Sequence, residues 1–178
     1  MSEAGSDVVQ TVVTFLEMTA PPNRPPSPCP SPRIEVRRAH RPTVSFYRYL
    51  YRTVGAGWTW TARQVLSDDE LAAIIRDPKV EVNVLWVEGV PGGYAELDHR
   101  SPPDIELAYF GLLPDFIGQG LGKYLLDWAI VHAWRRRPRR LWVHTCDLDH
   151  PRAVSVYTKA GFRVYDRRTE PVVVLPTT

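Results

Sequence analysis

The chain has 178 residues, a net charge of +2 at pH 7 and 44% hydrophobic residues. These values are typical of one globular domain with a sizeable core, and the small net charge indicates neither nucleic acid nor a membrane as a partner. Two cysteines do not suggest a disulfide framework, and the sequence has no apolar run of about 18 residues that could span a membrane. The acidic N-terminal segment lacks the basic start of a signal peptide, so we expect a cytoplasmic protein.

The first half of the chain predicts two strands and then two helices. Seven prolines in the segment 19–32 exclude a helix there and predict an extended connection between the two strands, not a boundary between domains. Ser67 followed by Glu70 forms a capping-box pattern, which predicts the start of the second helix. The predicted strands cover 8–18 and 33–40, and the predicted helices lie within 43–60 and 67–78.

The second half predicts three strands, a helix, a strand, a helix and two short terminal strands. A hairpin turn is expected at "GVPGG" (89–93), and Gly161 closes the last helix. The alternation of strands and helices predicts a single α/β domain over 1–178. The predicted strands are 80–89, 93–100, 104–113, 140–148, 162–168 and 171–175, and the predicted helices are 122–134 and 151–161.

Three glycines alternate at Gly118, Gly120 and Gly122, between a predicted strand and a predicted helix. Unpaired amides at a helix start favour an anion, and glycines allow the ligand's oxygens to reach those amides. A dinucleotide fingerprint would need glycine where Lys123 stands, and a P-loop would need glycine where Ile117 stands. A turn without a ligand would need only one glycine. The loop is therefore a candidate site for a phosphate group of another kind of ligand.

The stretch "LLPDFIGQGLG" resembles the acyl-CoA signature Q/R-x-x-G-x-G/A of the GNAT N-acyltransferase superfamily, with Ile117 at the first position. "DHPRAVSVYTKAGF" resembles a second GNAT motif, N-x-x-A-x-x-L/V-Y-x-x-x-G-F, with His150 in place of the asparagine. The resemblance implies a GNAT fold, with a mixed, mostly antiparallel sheet of about seven strands and about four flanking helices. It also implies acetyl-CoA as cosubstrate and no metal. The candidate contacts for acetyl-CoA are Leu112, Leu113, Ile117, Gly118, Gln119, Gly120, Leu121, Gly122, Lys123 and His150.

Acyl transfer to an amine requires a base for the ammonium proton, a donor for the developing oxyanion and an acid for the leaving thiolate. The resemblance implies Glu106 as the base, and the alternative is a strand carboxylate paired with an arginine on the neighbouring strand. It implies Tyr157 as the acid, with a packing role as the alternative. It also implies a backbone amide near Leu112 as the oxyanion donor.

Several further residues are candidates for contact with the acceptor. Glu96 could act as a second base or bind the substrate's ammonium group, and otherwise is a solvated strand residue. His144 contacts substrate or lies in the core or at its rim. The aromatic residues could line an apolar or cation-binding pocket or form a small core. These aromatic candidates are Tyr47, Tyr51, Trp58 and Trp60.

We therefore predict an acetyl-CoA-dependent N-acetyltransferase in which a primary amine of a small molecule attacks the thioester directly. The alternatives are a peptide or protein N-acetyltransferase and a GNAT-like sensor that binds acyl-CoA without turnover. The sequence leaves a monomer and a homodimer both open.

Overall fold

Seven strands and four helices alternate along the chain in the computed structural model, which describes residues 7–174. The predicted fold class is confirmed. Within this part of the chain, every helix is too short or too polar to serve as a membrane span. The strands are β1 (Asp7–Met18), β2 (Ile34–Ala39), β3 (Val80–Val87), β4 (Val90–Asp98), β5 (Ile105–Leu112), β6 (Leu141–Cys146) and β7 (Arg163–Val174); the helices are α1 (Val44–Gly55), α2 (Asp68–Ile75), α3 (Leu121–Trp134) and α4 (Ala153–Ala160).

Local sequence signals explain where the helices begin and which faces they bury. The capping box of α2 is present, since the Ser67 hydroxyl accepts from the Glu70 amide and the Glu70 carboxylate accepts from the Ser67 amide. The helix α1 buries one face with a spacing of three and four residues, as predicted. Its buried apolar residues are Tyr47, Leu50, Tyr51 and Val54.

The strand β1 lies one place in from the edge of the sheet, antiparallel to β6 on one side and to the edge strand β7 on the other. The strand order is β2-β3-β4-β5-β6-β1-β7. The two predicted terminal strands, 162–168 and 171–175, are wrong as separate strands. Pairing with β1 continues through Thr169 and Glu170, so one strand forms; Leu175 lies outside the described residues.

The proline-rich segment connects β1 with β2, as predicted, but these strands are far apart in the sheet. The connection therefore crosses the sheet on the side of α3, where Arg24 and Ser27 hydrogen-bond to Asp127. The hairpin between β3 and β4 also differs in detail from its prediction. It turns at Glu88 and Gly89, with φ of 52° and 90°, because a two-residue turn with both residues left-handed matches the twist of the strands.

Two cores hold the sheet between its helices. One core lies between the sheet and α3 and α4, and the other lies between the sheet and α1 and α2. The parallel strands β5 and β6 pair only at Ile105 with Leu141 and at Glu106 with Trp142. Beyond these pairs the two strands separate, and the gap between them becomes part of a large cavity.

Candidate active site

The loop between β5 and α3 positions two glycines in the left-handed region. Gly118 has φ of 85° and Gly120 has φ of 76°, a conformation that L-residues with a side chain rarely adopt. Gly120 is also the N-cap of α3 and offers no side chain to the first turn. The amides of this turn therefore have no intrahelical partner and form a site for an anion. Gly122 is different, since a Cβ there would stand 3.6 Å from Leu112 Cδ1, an ordinary contact.

A cavity of about 740 Å³ extends from this loop through the gap between β5 and β6. It brings together most of the residues predicted to contact acetyl-CoA. Three predicted contacts do not line it: the Leu113 amide donates to the Gly92 carbonyl at 2.9 Å, the Gln119 side chain donates to the Asp115 carbonyl at 3.0 Å, and Leu121 is buried in the core. The predicted contacts that line the cavity are Leu112, Ile117, Gly118, Gly120, Gly122, Lys123 and His150.

The backbone at Leu112 faces the gap between the strands. The neighbouring Leu113 amide is bonded to Gly92 of β4, and hydrogen-bonded and non-hydrogen-bonded pairs alternate along an antiparallel ladder. The Leu112 amide, which is opposite Gly93, therefore points away from β4 and toward β6. This is the direction that a donor to a thioester oxygen in the gap would need.

Tyr157 projects from α4 into the same cavity, beside the ring of Phe110 at 6.2 Å between centroids. Its ring is largely buried and also contacts Phe162. Burial, followed by the negative charge of Asp149, raises the pKa of the Tyr157 phenol well above its ordinary value. The phenol therefore stays protonated at neutral pH and is available as a hydrogen-bond donor.

Glu106 and His144 form a pair across β5 and β6. The Glu106 Oε1 lies 3.1 Å from His144 Nδ1, so the partner of this carboxylate is an imidazole and not the arginine considered as an alternative. His144 is exposed and lines the cavity, whereas Glu106 is half-buried and does not line it. The hydrogen bond that His144 Nδ1 donates to the Glu106 carboxylate raises the pKa of His144, despite the opposing effect of partial desolvation.

Glu96 and Tyr47 do not reach the cavity. Both are 0% exposed, and the Tyr47 hydroxyl donates to Glu96 Oε2 at 2.5 Å. The Arg63 guanidinium donates to Glu96 Oε1 at 2.7 Å and completes a buried network. The predicted substrate contacts of Glu96 and Tyr47 are therefore wrong. A carboxylate on a strand covered on both faces is buried, and it needs a buried cation as its partner.

The aromatic residues of α1 and the following loop form a wall over the acceptor end of the cavity, where Tyr51, Trp58 and Trp60 all contribute. The Trp60 Nε1 donates to Asp149 Oδ1 at 3.0 Å, which ties this wall to the segment before α4. The Trp58 ring packs on His150 at 4.9 Å between centroids. The Trp58 and Trp60 side chains are thus half-buried.

The cavity is also lined by residues that the sequence did not single out as site residues, among them Arg24, Tyr109, Asp149 and Glu170. Asp149 belongs to the polar segment that follows β6. It accepts hydrogen bonds from the Thr145 hydroxyl at 2.8 Å and the Cys146 amide at 3.0 Å. Glu170 and Arg24 carry no local signal, because only the position of β1 in the sheet brings their segments to the cavity.

Comparisons with known proteins identify relatives of this chain. A curated relative is an uncharacterized N-acetyltransferase of Mycobacterium tuberculosis, 29% identical over 104 residues. This match covers 58% of the chain and 66% of the relative's length.

Two solved structures share the fold. A GCN5-related N-acetyltransferase from Sphaerobacter thermophilus has a TM-score of 0.62 at 17% identity, covering 98% of this chain and 55% of that one. A GNAT family acetyltransferase from Elizabethkingia anophelis with acetyl-CoA bound has a TM-score of 0.58 at 18% identity, covering 76% of this chain and 80% of that one.

The sequence model of the Acetyltransferase (GNAT) family matches residues 34–162. This range runs from the start of β2 to just after α4, so it contains both the glycine-loop motif and the α4 motif. The chain belongs to the GNAT acetyltransferase family.

Proposed function

We propose that this protein is an acetyl-CoA-dependent N-acetyltransferase that acts on a primary amine of a small molecule. One observation carries the proposal: a single cavity is lined by the glycines of the loop before α3 and also by His144, Tyr157, Asp149 and Glu170. Bound acetyl-CoA would supply the thioester. Its pyrophosphate would be held by the amides of Gly118, Gly120 and the first turn of α3.

The acceptor amine must lose a proton before its nitrogen attacks the thioester carbonyl carbon. We assign this step to His144, with Glu106 as its positioning partner, because His144 faces the cavity and Glu106 binds its Nδ1. The imidazole accepts the proton at Nε2, and the carboxylate stabilises the imidazolium that forms. This differs from the sequence-based assignment, in which Glu106 was the leading candidate for the base and Glu96 the second.

Two groups act on the thioester side. The Leu112 amide faces the gap and donates to the carbonyl oxygen as negative charge develops there. As the carbon–nitrogen bond forms, the carbon–sulfur bond would break and the Tyr157 phenol would donate its proton to the departing thiolate; solvent water would then return a proton to the phenolate. No covalent bond to the protein forms in this scheme.

A small amine is favoured over a protein side chain as the acceptor, because the loop after α1 covers the end of the cavity that contains His144 and Asp149. The loop after α1 contacts two other elements: Trp60 binds Asp149, and the Thr61 hydroxyl donates to the Val173 carbonyl of β7 at 2.6 Å. The cavity beneath it combines aromatic rings with the carboxylates of Asp149 and Glu170, a combination suited to a cationic amine.

Release of coenzyme A, followed with a thiol reagent over a panel of small amines and peptides, tests the activity. We expect turnover with small amines. Peptides as the better acceptors would favour a protein N-acetyltransferase, and binding of acetyl-CoA without release would favour a sensor. We expect Gly120→Glu to abolish acetyl-CoA binding, because the left-handed φ and a carboxylate beside the pyrophosphate both oppose it.

The pH dependence of kcat/KM tests the roles of Glu106 and His144. The activity should rise with pH through an inflection above 6.5, the ordinary pKa of histidine, because Glu106 raises the pKa of His144. Glu106→Gln removes the largest cause of that shift, so the inflection should move to lower pH. His144→Gln should lower kcat/KM by about 10²–10⁴-fold.

His40→Gln, at an exposed histidine outside the cavity, is the matched control and should leave the profile unchanged. An inflection that stays in place in Glu106→Gln would contradict the assigned roles.

A further inference from the structure

We propose that Arg24, in the proline-rich segment between β1 and β2, binds the pyrophosphate of coenzyme A beside the glycine loop. The inference rests on the proposed function, since it takes acetyl-CoA as the ligand of the cavity. The loop has Ile117 at its first position, and that side chain is exposed and apolar. Lys123 is the one cation within the loop and the first turn of α3, residues 113–124. Arg24 supplies a second cation from a segment outside the matched family region, 34–162.

The strand order explains how Arg24 reaches this place. Because β1 lies between β6 and β7 and β2 is the opposite edge, the connection has to cross the sheet. It is fixed on α3 at Asp127: the Arg24 guanidinium donates to Oδ1 at 2.6 Å and to Oδ2 at 3.0 Å. Ser27 donates to the same carboxylate from its amide at 2.9 Å and its hydroxyl at 2.6 Å. Arg24 therefore lines the cavity wall together with Gly118 and Gly120.

The part of the cavity wall around Arg24 and Asp127 carries excess positive charge, which favours an anion there. Asp127 is buried, and it also accepts from Lys123 Nζ at 3.1 Å. Two cations thus share one carboxylate, and one positive charge is in excess beside the unpaired amides of α3. Of the five N–H donors of the Arg24 guanidinium, two serve Asp127 and one reaches the Pro25 carbonyl at 3.4 Å. Its side chain is 34% exposed, so the remaining donors are available to a phosphate oxygen.

A purely structural role for Arg24, as a clamp on α3, makes different predictions. The Asp127 carboxylate already has three donors from Ser27 and Lys123, so the segment stays attached when the arginine is changed. A clamp would be weakened alike by the loss of the Arg24 or the Ser27 side chain. A phosphate contact requires the guanidinium itself and is kept when only the Ser27 hydroxyl is lost.

The test is the Kd of coenzyme A and of dephospho-coenzyme A, which lacks the 3′-phosphate, measured by calorimetry. Arg24→Gln should weaken both ligands about tenfold, the loss of one charge-assisted hydrogen bond. Arg24→Lys keeps the charge and the pair with Asp127 but not the planar fork, so it should weaken both about threefold. Ser27→Ala removes one bond of the clamp and keeps the guanidinium, and it should bind both ligands within about twofold of the wild type.

The outcomes separate this inference from the proposed function. A wild-type protein that binds no coenzyme A refutes the proposed function and with it this inference. A wild type that binds, with Arg24→Gln binding equally well, refutes only the role of Arg24. Equal losses in Arg24→Gln and Ser27→Ala would show a clamp and overturn the proposal. A loss for coenzyme A but not for dephospho-coenzyme A would place Arg24 at the 3′-phosphate and overturn the pyrophosphate assignment.

Discussion

Glu96→Gln separates a structural carboxylate from a substrate-binding one. The change removes the negative charge that pairs with Arg63, whose side chain is 10% exposed. Breaking a buried ion pair by removing one partner costs about 3–5 kcal/mol, because the remaining charge is left in the interior. For a domain of this length, each kcal/mol lowers Tm by about 2–4 °C. We therefore expect Tm to fall by about 6–20 °C.

Thermal unfolding followed by circular dichroism gives this shift, and the amine KM measured well below Tm gives the functional readout. The KM should change by less than about twofold, because Glu96 does not reach the cavity. Glu88→Gln is the matched control: its carboxylate pairs with Arg33 at 3.0 Å, but both side chains are exposed, so the loss should be under about 1 kcal/mol. An unchanged Tm with a raised amine KM in Glu96→Gln would refute the reasoning and restore a substrate-binding role.

Two further predictions concern the wall of the cofactor end. Gly118→Ala should lower stability by about 1–2 kcal/mol, since φ is 85°, whereas Gly122→Ala should raise it by up to about 1 kcal/mol, since the helical backbone and the 3.6 Å contact accept a methyl group. Thermal unfolding shifts of the same sign in both variants would contradict this. Burial opposes ionisation of Asp127, but the hydrogen bonds from Arg24, Ser27 and Lys123 hold its pKa well below its ordinary value. A depressed pKa stabilises the folded state above the unfolded pKa of about 3.9 and loses this effect as pH falls toward the folded pKa. The Tm difference between wild type and Asp127→Asn should therefore be full at pH 7 and shrink below about pH 4; a difference that is constant from pH 7 to pH 2 would exclude an ionised Asp127 as its source.

The helix starts and the glycine loop could be predicted from the sequence because the interactions that produce them join residues only a few positions apart. The capping box of Ser67 and Glu70 and the helical spacing of α1 predicted their helices correctly. The glycine loop could be predicted because a left-handed backbone favours glycine, and this requirement is visible at Gly118 and Gly120 themselves.

The candidate site was predicted less completely, because strand neighbours decide which polar residues face it. Glu96 and Glu106 are similar in sequence context, yet one meets Arg63 in the core and the other meets His144 at the cavity. Glu96 lies on β4 opposite Tyr109 of β5, whereas Glu106 lies on β5 opposite Trp142 of β6, so the two carboxylates have different neighbours. No residue within four positions of either glutamate indicates it.

The sequence by itself determined the element types, the helix starts and the two motifs that carry the family. These depend on dihedral preferences and on hydrogen bonds between close neighbours. Only the tertiary structure decided that β1 enters the sheet between β6 and β7 and that the proline-rich segment crosses α3. The contact between Arg24 and Asp127 joins residues 103 positions apart. Such a contact depends on how the whole sheet buries its strands, a sum over many weak interactions that no local pattern contains.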